Sequence, residues 1–446
     1  MATSVLIIYW LQPASPVRHL DYWLPTGCIV LTILSWILTR KKESSNLSSD
    51  ITTGLVIAGL MLIIGLTRYL GPLCCVTPTR PPELNQIAIA VISISLLFLL
   101  FANFGSGKAA LIYTATILIL GIFIFLKSDS LSKFLSQGLR LINAQPVELA
   151  SATDIQWLGF SYVAFRLLHT LRDRISGRLP EIGLRDYVTY VIFFPAFSAG
   201  PIDRVQHFTQ ELHQSFKPSL QATLQGGKRI LWGVFSKFVL ADSLALIALN
   251  NTNADQVSYS GWLWVMLYAY ALRIFFDFSG YTHIAIGLGQ ILGIQLPENF
   301  DRPYLKRNLT LFWNSWHITL AQWFRAYFFN PLTRTLRSSQ RNIPLPLIIF
   351  IGQLSTFTLI GLWHGLSWNF AIWGAWHGIG LFIHNRWSNL IKPKTSAIER
   401  HASFDRLLGV SSTFFTFQYV SLGWVWFALS NPAQSWHTIL KLFGIG

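Results

Sequence analysis

Residues 342–385 read NIPLPLIIFIGQLSTFTLIGLWHGLSWNFAIWGAWHGIGLFIHN, 44 residues without one Asp, Glu, Lys or Arg. A bilayer core about 30 Å thick takes roughly 20 helical residues at 1.5 Å each. The run therefore has room for two spans. His364 and His377 are the ionisable side chains in its middle. On one unbroken helix, thirteen residues of separation would set them about 140° apart around the axis. They share a site only if the helix breaks, and Gly365 beside Ser367 allows a break.

The same reading extends outward. Leu407–Leu440 adds 34 uncharged residues. Shorter uncharged runs cover Tyr22–Thr39, Ile51–Thr67, Ile87–Gly107, Ala109–Leu126, Tyr187–Ile202, Gln256–Leu272 and Phe278–Pro297. With the partly charged stretches Gln156–His169 and Ile230–Leu249, roughly ten to twelve membrane-embedded helices are expected. Composition agrees. Apolar residues are 52% of the 446 and charged residues 12%, about half the charged share of a soluble domain. Disorder, a secreted disulfide scaffold and an ordinary cytosolic enzyme are excluded. The fold class is an all-α polytopic integral membrane protein.

The net charge of +15 comes from Lys and Arg in the breaks between apolar runs. Those clusters are Arg40 to Lys42, Arg172 to Arg185, Arg302 to Arg307, Arg334 to Arg341 and Arg386 to Arg406. The positive-inside rule accounts for them without nucleic acid, and it places the loops at 40–42, 172–185 and 334–341 in the cytoplasm. Met1–Trp10 is apolar but lacks a basic leader region and a small-residue cleavage site, so it reads as a signal anchor or an interfacial helix. Cys28, Cys74 and Cys75 are assigned to apolar packing.

Texture divides the chain into N-terminal transmembrane helices (1–145), a core rich in buried polar residues (146–390), and a cytoplasmic loop with a C-terminal transmembrane helix (391–446). In the core, polar side chains lie within apolar runs, where they are costly and mark pathways or active sites. Arg273 and Asp277 are four apart and can pair on one helix face. That pair serves a structural role as readily as a functional one. In Phe312–Arg325, a continuous helix would place Trp313, Trp316, Trp323 and Phe324 on one side. His317 and Arg325 would then stand about 80° apart, facing one polar groove. A Trp-rich helix with a snorkelling Arg325 is also what an interfacial anchor looks like, but that leaves His317 unexplained. His364, flanked by Trp363 and Gly365, is an imidazole well placed to take a proton. The spacings of zinc sites, serine-hydrolase elbows, Walker loops and dinucleotide fingerprints are absent from the sequence, so neither metal nor bound cofactor is expected. What remains is a histidine acting on a hydroxyl: acyl transfer by general-base catalysis.

Six ordered stretches carry a resemblance. They are 194–204 (FPAFSAGPIDR), 277–281 (DFSGY), 297–300 (PENF), 312–317 (FWNSWH), 323–325 (WFR) and 361–365 (GLWHG). Together they resemble the membrane-bound O-acyltransferase family over about 155–380, and more weakly to 423–427. The similarity is to its bacterial branch, which includes the membrane subunit of alginate O-acetylation and the D-alanyl transfer protein of teichoic acids. The resemblance implies a helical funnel with a mid-membrane tunnel, in which a cytoplasmic acyl donor meets an extracytoplasmic hydroxyl. It implies that His364 is the essential catalytic histidine and His317 its partner. Asn314, Trp316, Arg325, Asp277 and Trp363 are the implied substrate-binding residues. The donor would be a thioester co-substrate such as acetyl-CoA or an acyl carrier protein, and the acceptor a cell-envelope polysaccharide. A periplasmic transferase partner and a multi-pass place in the inner membrane follow from the same likeness. Ala326 stands where the family commonly has an acid, and Pro331-Leu332-Thr333-Arg334 replaces Pro-Leu-Gly-Gly, which bears on donor or partner recognition.

Acetyl is the expected acyl group. The alternatives are D-alanyl transfer, a conduit that passes acyl groups to a separate transferase, and a transporter or flippase with a histidine relay. A transporter of the inverted-repeat kind would carry internal repeats, and the sequence has none.

Overall fold

The computed structural model describes residues 1–41, 47–104, 109–214, 219–340, 342–395 and 402–445. Lys42, Arg341, Gly107 and part of the Arg386–Arg406 cluster lie outside the described residues. Among those described there are no strands, only one isolated antiparallel bridge between Phe300 and Trp316. The chain is all-α, as an apolar sequence must be where lipid cannot satisfy backbone groups. Among the described residues, five helices are long and apolar enough to cross a membrane: Leu20–Thr39, Ser48–Tyr69, Leu84–Phe101, Ala109–Lys127 and Leu345–His364.

Several boundaries differ from the sequence reading. The runs 256–272 and 278–297 belong to one 32-residue helix, Ser260–Ile291. Tyr187–Ile202 is no span: it holds the end of the eight-residue helix Leu184–Val191 and then an irregular stretch around Pro195 and Pro201. Proline removes a backbone donor and ends the ladder there. Ala2–Trp10 is a nine-residue helix packed into the first unit, with Val5, Ile8 and Tyr9 buried.

The chain forms two compact units. The first comprises residues 1–223 with 288–296, the second 224–287 with 297–446. In the first unit, buried hydroxyls satisfy one another across helices. Tyr187 Oη shares hydrogen bonds with Ser35 Oγ at 2.8 Å and Thr170 Oγ1 at 2.7 Å, and Tyr22 Oη donates to the Met61 carbonyl at 2.9 Å. Asp21 is fully buried and accepts hydrogen bonds from the Thr79 backbone N–H (2.7 Å) and hydroxyl (2.8 Å). Buried Cys28 packs as expected, with Trp157 Nε1 against its sulfur at 3.0 Å. Cys74 and Cys75 are half-buried in the loop after Gly71–Leu73, outside the core that takes Cys28.

Asp154 ties a loop to the amphipathic helix Asp129–Ile142. Its carboxylate accepts from Ser136 Oγ (2.6 Å) and the Ser151 N–H (3.1 Å), and pairs with Arg140 (2.9 Å). Burial pushes its pKa up, but the hydrogen bonds and the Arg140 charge outweigh that and hold it below the usual aspartate value. A depressed folded-state pKa stabilises above the unfolded pKa, and the stability is lost as pH falls through the folded value. The melting temperature of the purified wild type is therefore expected to fall more between about pH 5 and about pH 3 than that of Asp154→Asn. Parallel acid profiles would contradict this.

The second unit is assembled through close helix approach. Gly233 and Gly280 face each other across two helices: a Cβ on Gly280 would stand 2.8 Å from the Gly233 carbonyl oxygen. Small residues at such crossings let backbones pack directly. The approach sets the π-helical turn Ser236–Ala241 against the long helix, and Lys237 pairs there with Asp277. The i,i+4 partner Arg273 is thus not the ion-pair partner of Asp277. A cation from a facing helix meets the carboxylate instead.

Candidate active site

The 44-residue uncharged run folds as a tight hairpin. Leu345–His364 ends at the histidine, Gly365–Ser367 turn, and Trp368–Thr395 returns. The two arms pack backbone on backbone: a Cβ at Gly361 would land on the Phe370 carbonyl, and one at Gly374 on the Phe357 carbonyl. The break at Gly365 therefore occurs, and it brings His364 and His377 against the same indole. The Trp373 ring centroid is 5.6 Å from that of His364 and 5.1 Å from that of His377. His377 is fully buried, edge-on to Trp313 at 4.9 Å. Asn369 anchors the turn by donating to the Leu429 carbonyl (2.6 Å) and Ser435 Oγ (2.9 Å).

His317 comes from a different local structure than the continuous helix expected. Leu309–Trp313 is a short helix, the chain turns through Asn314–Trp316, and Ile318–Phe324 starts afresh. His317 caps the second helix with φ +44°, a left-handed conformation that L-residues adopt only when surroundings hold them there. What holds it is Asn299. The Asn299 carbonyl accepts from the Ile318 N–H at 3.0 Å, and its side-chain oxygen accepts from the Thr319 hydroxyl at 2.6 Å and N–H at 3.2 Å. Asn299 is fully buried. It lies in the quoted 297–300 motif, yet its positioning role was not foreseen, because the clamp joins residues twenty apart through backbone groups. Phe278 packs edge-on to the imidazole, 4.6 Å between centroids.

The two histidines meet at one cavity. It is lined by Trp313, Trp316, His317, Leu320, Ala321, Ile360, His364 and Trp373, and its volume of about 10 Å³ is room for a single water. The Trp363 ring sits 4.6 Å from His364 and 6.1 Å from His317. His317 Nε2 is buried without a hydrogen-bond partner among the described residues. His364, His317, Trp316 and Trp363 are thus gathered.

The remaining candidates stand elsewhere. Asn314 and Arg325 are exposed and bind each other, Arg325 Nη2 donating to Asn314 Oδ1 at 2.8 Å. Asp277, paired with Lys237, does not line the cavity. Its motif reaches the site through the neighbouring Phe278. The 194–204 motif lies in the first unit, where Asp203 binds His207 Nδ1 at 2.8 Å and raises that imidazole's pKa.

A sequence model of the membrane-bound O-acyltransferase family matches residues 100–406. The chain belongs to the membrane-bound O-acyltransferase family. The match begins earlier than the motif-bearing stretch from 155, taking in the apolar helix at 109–127. Among curated relatives, a teichoic acid D-alanyltransferase of Streptococcus thermophilus is 31% identical over 65% of this chain and 72% of its own. A probable alginate O-acetylase AlgI of Azotobacter vinelandii is 33% identical over 65% of this chain and 54% of its own. A peptidoglycan O-acetyltransferase of Helicobacter pylori is 29% identical over 69% and 58%. The chain spans about half the length of the O-acetylating relatives it matches. Family and relatives together support an acyltransferase, as the resemblance implied.

If Asn299 positions His317 for catalysis, Asn299→Ala lowers kcat for acyl transfer by roughly tenfold or more, since small misplacements of a reacting group are costly. Membrane abundance near wild type with unchanged kcat would contradict it.

Proposed function

We propose that this protein transfers an acetyl group from an activated thioester on the cytoplasmic side to a hydroxyl of an extracytoplasmic polysaccharide. The observation that carries the reading is the convergence of His364 and His317 on one small aromatic-walled cavity. The acceptor hydroxyl gives its proton to the His364 imidazole as its oxygen bonds to the acyl carbonyl carbon. The carbonyl π electrons move to oxygen, where His317 donates a hydrogen bond to the oxyanion. Collapse of that intermediate breaks the carbon–sulfur bond, and the leaving thiolate takes up the proton from His364, which balances the step. Exclusion of water by Trp313, Trp316 and Trp373 keeps the acyl group from hydrolysis. Asn314 and Arg325 are assigned to substrate approach, and Asp277 to holding Phe278 against His317 through its helix.

The donor is acyl-CoA or a carrier protein, and the protein sits in the inner membrane with its basic loops in the cytoplasm; a conduit that hands the acyl group to an extracytoplasmic transferase is the alternative to direct transfer. D-alanyl transfer is the second reading, favoured by the coverage of the Streptococcus thermophilus relative. Purified protein in vesicles, offered acetyl and D-alanyl thioesters with host polysaccharide, separates the two. Acetyl ester formation supports the first reading, and D-alanyl ester alone overturns it.

A further inference from the structure

The stretch Gly423-Trp424-Val425-Trp426-Phe427 lies beyond the 100–406 match, near the end of the helix Ala402–Ala428. That helix belongs to the second unit, as both histidines do. Gly423, Trp424 and Phe427 each reach the candidate site. Gly423 lets the helix close on the hairpin: a Cβ there would stand 2.7 Å from Nε2 of the fully buried His377. Trp424 is buried against two walls of the cavity, its ring centroid 5.1 Å from that of Trp316 and 5.7 Å from that of Trp373. Its Nε1 donates to Tyr304 Oη at 3.1 Å, and that hydroxyl donates to the Ala271 carbonyl at 2.8 Å. Phe427 meets His364 itself, ring to ring at 4.8 Å and 75°.

Phe427 does not line the cavity, so it meets the imidazole outside it. Trp373 stands at 89° to the same imidazole, 5.6 Å away. A histidine turns about two side-chain bonds, and the second has a broad, soft preference. Two rings at steep angles to the imidazole restrict that rotation and fix which nitrogen faces the cavity. Phe427 is itself braced by Phe370 at 5.0 Å, Trp373 at 5.3 Å and Trp424 at 5.4 Å. The helix is pinned to the hairpin turn just beyond it, where Asn369 donates to the Leu429 carbonyl.

We infer that Phe427 is a positioning residue for acyl transfer, holding the His364 imidazole with its basic nitrogen toward the acceptor hydroxyl, while Trp424 backs the indole walls. The inference rests on general-base catalysis by His364 as proposed above. Without the Phe427 ring the imidazole swings, and the proton-accepting geometry is populated only part of the time. The cavity walls are untouched, so kcat falls and KM does not.

Ester formation by the full chain in vesicles tests this, with host polysaccharide and whichever of acetyl-CoA or acetylated carrier protein the wild type uses. Phe427→Ala is expected to lower kcat roughly tenfold, with KM for the thioester within about twofold of wild type. Phe427→Tyr keeps the ring and should restore most of the rate. Phe427→Leu fills the space without a ring, so it should accumulate normally and still lose kcat several-fold. In the His364→Ala background Phe427→Ala should be silent, because no imidazole is left to aim. Wild-type kcat in both Phe427→Ala and Phe427→Leu, or the same loss with and without the imidazole, would overturn the inference alone. Unchanged ester formation in His364→Ala would instead overturn the general-base reading, and the inference with it.

Discussion

His364→Ala is expected to lower the rate of ester formation by about 10²–10⁴-fold, the usual contribution of a positioned general base, while the protein accumulates in the membrane at its normal level. The side chain is half-buried at the end of its helix, and its ring is surrounded by those of Trp363, Trp373 and Phe427 at 4.6–5.6 Å. Alanine leaves a space there but no uncompensated charge, so folding survives and chemistry does not. His317→Ala removes an oxyanion donor and is expected to cost about 10²–10³-fold. The double variant should lose little more than His364→Ala alone, because groups acting as a unit are not additive. Full additivity, or retained activity in His364→Ala, would separate the histidines from a common step.

Gly361→Val should abolish the active site by another route. Its Cβ would occupy the position of the Phe370 carbonyl, which is backbone and has no rotamer to yield. Overpacking a helix crossing typically costs about 1–3 kcal/mol, a large fraction of an ordinary protein's stability. Against rigid backbone the cost lies at or above the top of that range. The hairpin must open, His364 leaves the cavity, and the variant is expected to fall several-fold in membrane abundance with its ester formation lost. Gly361→Ala, with one carbon added at the same point, should follow the same direction to a smaller extent. Normal abundance and activity in Gly361→Val would show that the two arms do not pack at this point.

The two cases also mark what could be read from sequence. The uncharged run announced a pair of apolar helices, and Gly365 beside Ser367 announced where they part. A helical period and a breaker are local properties. The 312–325 segment was read as one continuous helix, yet the chain turns between Trp313 and Ile318. The cause lies in Asn299, whose backbone and side chain capture the Ile318 and Thr319 amides, and no periodicity encodes such a capture. Asp277 shows the same limit. Arg273 is its neighbour on the helix, but Lys237 reaches it from a π-helical turn brought close by Gly233 and Gly280. Motif order gave the family and marked both histidines as candidates. The contacts that aim them are tertiary.

The O-acyl content of the host's envelope polysaccharide, measured in cells carrying wild type, His364→Ala or His317→Ala at verified equal membrane levels, bears most directly on acyl transfer through the paired histidines. Loss of ester in His364→Ala, with a marked fall in His317→Ala, is the predicted result. Unchanged ester in His364→Ala at normal abundance would contradict it, and would return weight to transport or to a scaffold role for this fold.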